Sequence, residues 1–200
     1  MIESINIRLA DIQDSKKVAF LHKCNISGFL SSLGLLFLEN FYRSMCVSKY
    51  AFCIVAESDD NIIGYVSGTT DLIGFYKEFV RKNILKMFIV LFTRIFSFVF
   101  IKKVLEDGAY SSGSRGLNLP KAEEISMVVD SAYRGRGISQ NLIKKLKEEF
   151  KVRGVKQYKV AIGSGLEPSR RFHENIGGVL FSEIEVHKGE KSKVYIFDIK

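Results

Sequence analysis

Apolar and polar positions alternate in SINIRLA, which predicts a first strand over residues 4–9. The period then changes. Val18, Leu21 and Cys24 recur on one stripe of a helix from about residue 12 to 25, with Asp11 placed to cap it. NISGFLSSLG (25–34) predicts a loop with a short helical turn, and LLFLENFYRSM predicts a second helix ending near residue 47. AFCIVAES and NIIGYVSGTT are β-rich runs flanking the turn-prone SDDN, a hairpin signal. EEISMVV (123–129) predicts another strand. Leu142, Ile143, Leu146 and Phe150 return to helical spacing over 137–152, stopped by Gly154. QYKVAI (157–162) predicts a short strand, and Pro168 opens a helix through Asn175 that Gly177 and Gly178 terminate. VLFSEIEVHK and SKVYIFDI close the chain as a hairpin around GEK. The order is β-α-α-β-β-insertion-β-α-β-α-β-β, which predicts a mixed α/β fold with a mostly antiparallel sheet.

The insertion, residues 71–121, separates the third and fourth strands within what reads as one domain, 1–200. It contains ILKMFIVLFTRIFSFVFI (84–101), long and apolar enough to raise the question of a membrane span. On a helix, Lys82, Asn83, Lys86, Thr93, Arg94 and Ser97 fall within an arc of roughly 120°. Crossing a bilayer would bury Lys86 and Arg94 at about 2.5–3.5 kcal/mol each near the centre. It would also put strands of one sheet on both sides. No transmembrane span is therefore expected. An amphipathic helix remains, with an apolar face too wide for one packing surface. A lid over a pocket, the second subunit of a homodimer or a peripheral membrane contact would cover it.

Charge adds to this picture. The formal net charge is +8, and between Lys77 and Lys103 seven basic residues face one acid, Glu78. Such a balance favours anionic partners, but neither a recognition helix nor aromatic-basic interleaving is evident, so nucleic acid is not an expected partner. With 46% hydrophobic and 26% charged residues the composition is globular. Cys24, Cys46 and Cys53 form neither a CxxC pair nor an even framework. They read as reduced core residues of a cytoplasmic protein. The amino-terminal MIESINIRLADIQD carries early acids and no long apolar run, so no secretory signal is expected. No metal site is expected.

The most informative stretch is VVDSAYRGRGISQNLI (128–143), where a strand ends, the chain turns and RGRGIS opens a helix. Gly135 and Gly137 permit backbone conformations that other residues resist, and successive N–H groups at a helix N-terminus suit a phosphate or pyrophosphate. Arg134 and Arg136 add charge. No GK[ST] follows, so this is not a Walker loop, and the spacing is not that of a dinucleotide fingerprint.

With its neighbours, the stretch resembles the GNAT acetyltransferase superfamily, whose acetyl-CoA loop reads Arg/Gln-x-x-Gly-x-Gly/Ala. Arg134, Gly137 and Ser139 fall on the three fixed positions, Ser139 departing from Gly/Ala. The resemblance extends over nearly the whole element order. It includes RRFHENIGG (170–178), where Ser169, Phe172, His173 and Gly177 match the family pattern in position or kind, Leu166 replaces an Asn and His173 a Tyr. It implies acetyl-CoA as cosubstrate and an amine acceptor. Met127, Val128 and Val129 would hold the pantetheine arm through backbone groups. Arg134, Gly135, Arg136, Gly137, Ile138, Ser139 and Gln140, with Ser169 and Phe172, would hold the rest.

The implied reaction is attack of an amine on the acetyl thioester. An amine with pKa about 10 must lose a proton, and the departing thiolate needs one. His173 stands where the resemblance puts an acid tyrosine, and an imidazolium can serve near neutral pH. Glu124 is the candidate base and Glu123 the alternative, their side chains on opposite faces of the strand. His22 and His187 read as structural. The acceptor stays open: an amine of a small molecule, an amino sugar among them, or of a protein. A catalytically weak CoA-binding protein that docks through residues 80–105 is the other reading.

Overall fold

The computed structural model describes residues 5–91, 118–187 and 190–199. Among these are seven strands: β1 (Asn6–Leu9), β2 (Ala51–Ser58), β3 (Asn61–Thr69), β4 (Ala122–Val129), β5 (Gln157–Gly163), β6 (Val179–His187) and β7 (Glu190–Asp198). They form one sheet in the order β1-β2-β3-β4-β5-β7-β6, antiparallel everywhere except between β4 and β5. The helices are α1 (Ser15–Asn25), α2 (Phe29–Ser32), α3 (Leu35–Cys46), α4 (Leu72–Leu91), α5 (Ile138–Val152) and α6 (Glu167–Asn175). This is the mixed α/β order that the hydrophobic pattern predicts.

Two cores separate the layers. On one face, Val18, Leu21, Phe37, Phe41, Tyr42 and Met45 of α1 and α3 pack on Cys53, Val55, Tyr65 and Val128, with Phe75 and Phe79 of α4 completing an aromatic cluster. The insertion thus begins as a helix whose first turns belong to this core. On the other face, Ile138, Leu142, Leu146 and Phe150 of α5 and Phe172 of α6 cover Ile54, Val66, Val129, Tyr158 and Phe197. Rings of Phe150, Tyr158 and Phe197 stack in series at 5.0 and 4.8 Å. No helix of the described residues is long and apolar enough to cross a membrane. The wide apolar face expected over 84–101, and the docking role of 80–105, fall largely outside the described residues.

Two local expectations need correction. The first helix begins at Ser15: the Asp11 carboxylate accepts the Gln13 and Asp14 amides at 2.7 and 3.3 Å, holding a turn ahead of the helix. Short polar side chains compete with the helix for nearby amides in this way. Asp14 takes the N-cap place and is bound at 2.6 Å by Arg8, which also bonds Glu57. The three cysteines are free, but only Cys53 is buried; Cys24 is exposed and Cys46 half-buried.

A bulge in β4 and a tight closure after α6 fix how these two elements face each other. Between β3 and β4 the register runs Ser67↔Ser126 and then Gly68↔Glu124, so Ile125 is an extra residue and β4 carries a bulge. After α6, the Gly178 N–H donates to the His173 carbonyl at 2.9 Å, which closes the helix against β7. A methyl group at Gly178 would lie 2.8 Å from that carbonyl oxygen and 2.7 Å from Phe197 Cζ. Gly178→Ala is therefore expected to destabilise the fold by about 1–3 kcal/mol; urea unfolding measures the loss, and unchanged stability would show that α6 can shift freely.

Candidate active site

β4 and β5 pair at three positions only, Ala122↔Tyr158, Glu123↔Lys159 and Glu124↔Val160. Beyond them β4 continues to Val129, while Ala161, Ile162 and Gly163 pair with β7 on the other edge of β5. The strands part, and the edge of Ile125–Val129 that faces β5 has no strand partner among the described residues. At the end of this opening the Asp130 carboxylate accepts the Ala132 amide at 3.0 Å and sets a 3-10 turn, Ser131–Tyr133. The loop then enters α5 through Gly135 and Gly137, with φ +78° and +77°. That left-handed backbone, rather than lack of space, is what calls for glycine, since a Cβ at either position would meet nothing within 4 Å.

A cleft of ≈ 230 Å³ lies here, lined by Val129, Tyr133, Arg134, Gly135, Gly137, Ile138, Ser139, Gln140 and Phe172. The first amide of α5 to meet a helical carbonyl is that of Asn141, on Gly137 at 3.1 Å. The amides of Ile138, Ser139 and Gln140 precede the helical ladder at the positive end of the dipole. Eight of the residues expected to bind a cofactor therefore converge. Arg136 lies over the Tyr133 ring at 5.1 Å instead, and the Val128 side chain enters the α1/α3 core while its main chain stays on the open edge of β4. Arg134 does more than add charge: its Nε donates to the Val129 carbonyl at 3.1 Å and its Nη2 to Asn25 Oδ1 at 3.4 Å. Tyr133 is a lining residue that sequence reasoning missed; an aromatic just before the Arg-Gly loop was the only signal.

Glu124 and His173 meet directly. His173 Nε2 is 3.1 Å from Glu124 Oε1, and each side chain is 2% exposed. His173 Nδ1 is 2.7 Å from the Ser169 carbonyl oxygen, which can only accept, so Nδ1 carries a hydrogen. One further proton is shared between Nε2 and Oε1. Burial alone would push the imidazole down, but the hydrogen bond and charge of Glu124, helped by the Ser169 carbonyl, hold its pKa above the usual histidine value. Glu124 Oε2 is buried without a hydrogen-bond partner among the described residues. Glu123 points to the other face, 3.2 Å from Lys159 Nζ, which also donates to the Pro120 carbonyl at 2.7 Å.

A second polar cluster lies across the sheet. His22 Nδ1 of α1 is 2.6 Å from Tyr42 Oη and 3.1 Å from Tyr65 Oη. Tyr42 Oη is 3.0 Å from Tyr65 Oη and 3.1 Å from Ser126 Oγ, which is 2.8 Å from Ser67 Oγ. Burial, with a smaller effect of Lys23, pushes His22 down to about 4, so its ring is neutral at pH 7. No group of three or more His, Cys, Asp or Glu able to hold a metal occurs among the described residues.

The model of the acetyltransferase (GNAT) family matches residues 21–178. The chain belongs to this family. No curated protein sequence matches it. Solved GNAT-like folds do, at low identity. An N-acetyltransferase from Staphylococcus aureus is 14% identical, with a TM-score of 0.62, covering 98% of this chain and 99% of that one. The yncA protein of Salmonella typhimurium, solved with its cofactor acetyl-CoA, is 15% identical (TM-score 0.60, coverage 98% and 94%). Arabidopsis thaliana NAA60, solved with acetyl-CoA, is 14% identical (TM-score 0.61, coverage 98% and 99%).

In this GNAT chain the two buried histidines carry opposite linkage. Raised above its unfolded value, His173 contributes stability that is full below about pH 6.5 and lost as pH rises through its folded pKa. His22 is depressed, so the stability tied to its neutral form is present above about pH 6.5 and lost as pH falls toward 4. Urea unfolding across pH is expected to give a maximum between these limbs. Glu124→Gln should flatten the alkaline limb alone; an unaltered alkaline limb would show that the pair holds no extra proton.

Proposed function

We propose that the chain is an acetyl-CoA-dependent N-acetyltransferase that acetylates an amine by direct attack. The observation that supports this best is the coincidence of the parting of β4 and β5 with the glycine-opened N-terminus of α5. The donor set fits the cosubstrate. Backbone amides at a positive helix end, with no carboxylate among the lining residues, suit a pyrophosphate. The unpartnered edge of β4 suits an extended arm carrying amides. Met127, Val128 and Val129 would align that arm through their main chain, Ser139 is small enough to leave the cradle open, and Ser169 and Phe172 flank it from α6. When bound, acetyl-CoA supplies an acetyl group already activated as a thioester.

The chain's own residues then have defined tasks. The loop amides from Gly135 to Gln140 hold the anionic end. Glu124 and His173 act as one unit, because both ring nitrogens are engaged: the proton between Nε2 and Oε1 goes to the departing thiolate, and the carboxylate so freed takes up the proton that the acylated amine sheds. The acceptor is an amine of a small molecule, an amino sugar of a surface glycan being preferred, or of a protein, with the 71–121 insertion shaping the choice. A cytoplasmic setting belongs to the same reading.

Isothermal calorimetry with CoA tests the cradle. Gly137→Val, which forces a β-branched residue into the left-handed region, is expected to weaken binding at least roughly tenfold with the fold intact by circular dichroism. A screen of amines with acetyl-CoA, following release of the CoA thiol, identifies the acceptor. On that acceptor Glu124→Gln and His173→Gln should each slow turnover about a hundredfold; unchanged rates in both variants would remove the pair from the mechanism.

A further inference from the structure

Ser126 opens the second polar cluster toward the parting of the strands. The bulge at Ile125 turns its hydroxyl to the α1/α3 face, opposite to Glu124, while its backbone lies in the stretch of β4 that β5 leaves unpaired. His22, Tyr42, Tyr65 and Ser67 are all buried, and only Ser126 is half-exposed. We propose that Ser126 Oγ receives an N–H of the acceptor amine, and that Tyr42 and His22 are positioning residues that fix the direction of its hydrogen bond. This rests on the acetyltransferase reading.

The direction comes from counting hydrogens. With the neutral imidazole in its Nε2–H tautomer, Nδ1 accepts an O–H, which either phenol can offer. The hydrogen of that tautomer sits on Nε2, which is buried with no hydrogen-bond partner among the described residues. His22 takes the Tyr42 hydrogen directly, or Tyr65 takes it and gives its own to His22; the distances of 2.6, 3.0 and 3.1 Å allow both. In either arrangement the Tyr42 oxygen is left to accept, and Ser126 donates to it across 3.1 Å. Ser67 supplies a hydrogen to Ser126 Oγ at 2.8 Å or to its carbonyl at 3.3 Å. With its own hydrogen committed inward, Ser126 presents a lone pair outward. It can receive a donor such as an amine N–H and cannot satisfy a carboxylate or a phosphate.

The same arrangement leaves the two faces of β4 with different tasks. The Glu124–His173 pair holds a proton on the α6 side, whereas the cluster on the α1/α3 side offers an acceptor. An amine entering over α1 and α3 would meet Ser126 with its N–H and keep its own lone pair turned away from the hydroxyl.

Protein labelled with ¹⁵N-histidine and loaded with CoA, titrated with n-butylamine as a minimal amine probe, tests this by the His22 Nδ1 resonance. Saturable movement is expected in the wild type and with Ser126→Thr, which keeps the hydroxyl, and is expected to vanish with Ser126→Ala and with Tyr42→Phe. Kinetically, Ser126→Ala should raise the KM for n-butylamine about tenfold with a smaller change in kcat. No movement in the wild type up to the solubility limit overturns the proposal, as does equal movement in Ser126→Ala; if that variant fails to fold, Tyr42→Phe decides alone. Calorimetry with CoA separates the two levels of inference: CoA binding without a His22 response sinks only the role of Ser126, whereas absence of CoA binding sinks the acetyltransferase reading itself.

Discussion

Among the described residues, three parallel residue pairs, from Ala122↔Tyr158 to Glu124↔Val160, are the only strand pairing between the β1–β4 part of the sheet and the β5-β7-β6 part. Where they stop decides where the sheet opens. A parallel pair cannot be closed by a tight turn, so the chain leaves β4 through the glycine loop and α5 before returning as β5. The helix is therefore delivered, N-terminus first, to the mouth of the gap. The two parts are also tied by packing, through the Phe52–Phe150–Tyr158–Phe197 series of rings, and by the His173 bridge from α6 to β4. The opening is narrow at one end because these ties are close by, and wide at the other because no strand pairing joins Val129 to Gly163.

Two histidines within one small protein show how environment sets a proton. His173 is buried beside a carboxylate and a carbonyl, both of which want hydrogen from it, and it keeps its second proton. His22 is buried beside two phenols, which can supply hydrogen, and a positive charge there has no counter-ion among the groups that bond it. Depth of burial is similar. The difference is in what the neighbours can give or take, and it leaves an extra proton held on one face of β4 and a neutral imidazole on the other.

Much of this was legible in the chain because it is carried by short-range pattern. The element order followed from apolar periodicity, the β2–β3 hairpin from SDDN, where Asp59 and Asp60 adopt positive φ, and the loop from Arg134, Gly135 and Gly137. What was not legible depends on contacts far apart in sequence. Nothing in EEISMVV or RRFHENIGG says that Glu124 and His173, separated by 49 residues, are bonded to each other. His22 reads only as a structural residue of a helix until Tyr42, Tyr65 and Ser126 are folded around it. Asp11 shows the opposite failure, a correct residue type for a cap placed in a turn of its own ahead of the helix.

The extra residue at Ile125 changes the parity of β4. In an unbroken strand, positions two apart share a face; here Glu124 and Ser126 do not, and one strand sends polar groups to both sides of a single layer within three residues. Were β4 regular through Ile125, both groups would fall on one side and the other would be bare. The path of the backbone through this one residue is thus as much a determinant of the site as the identity of any side chain in it.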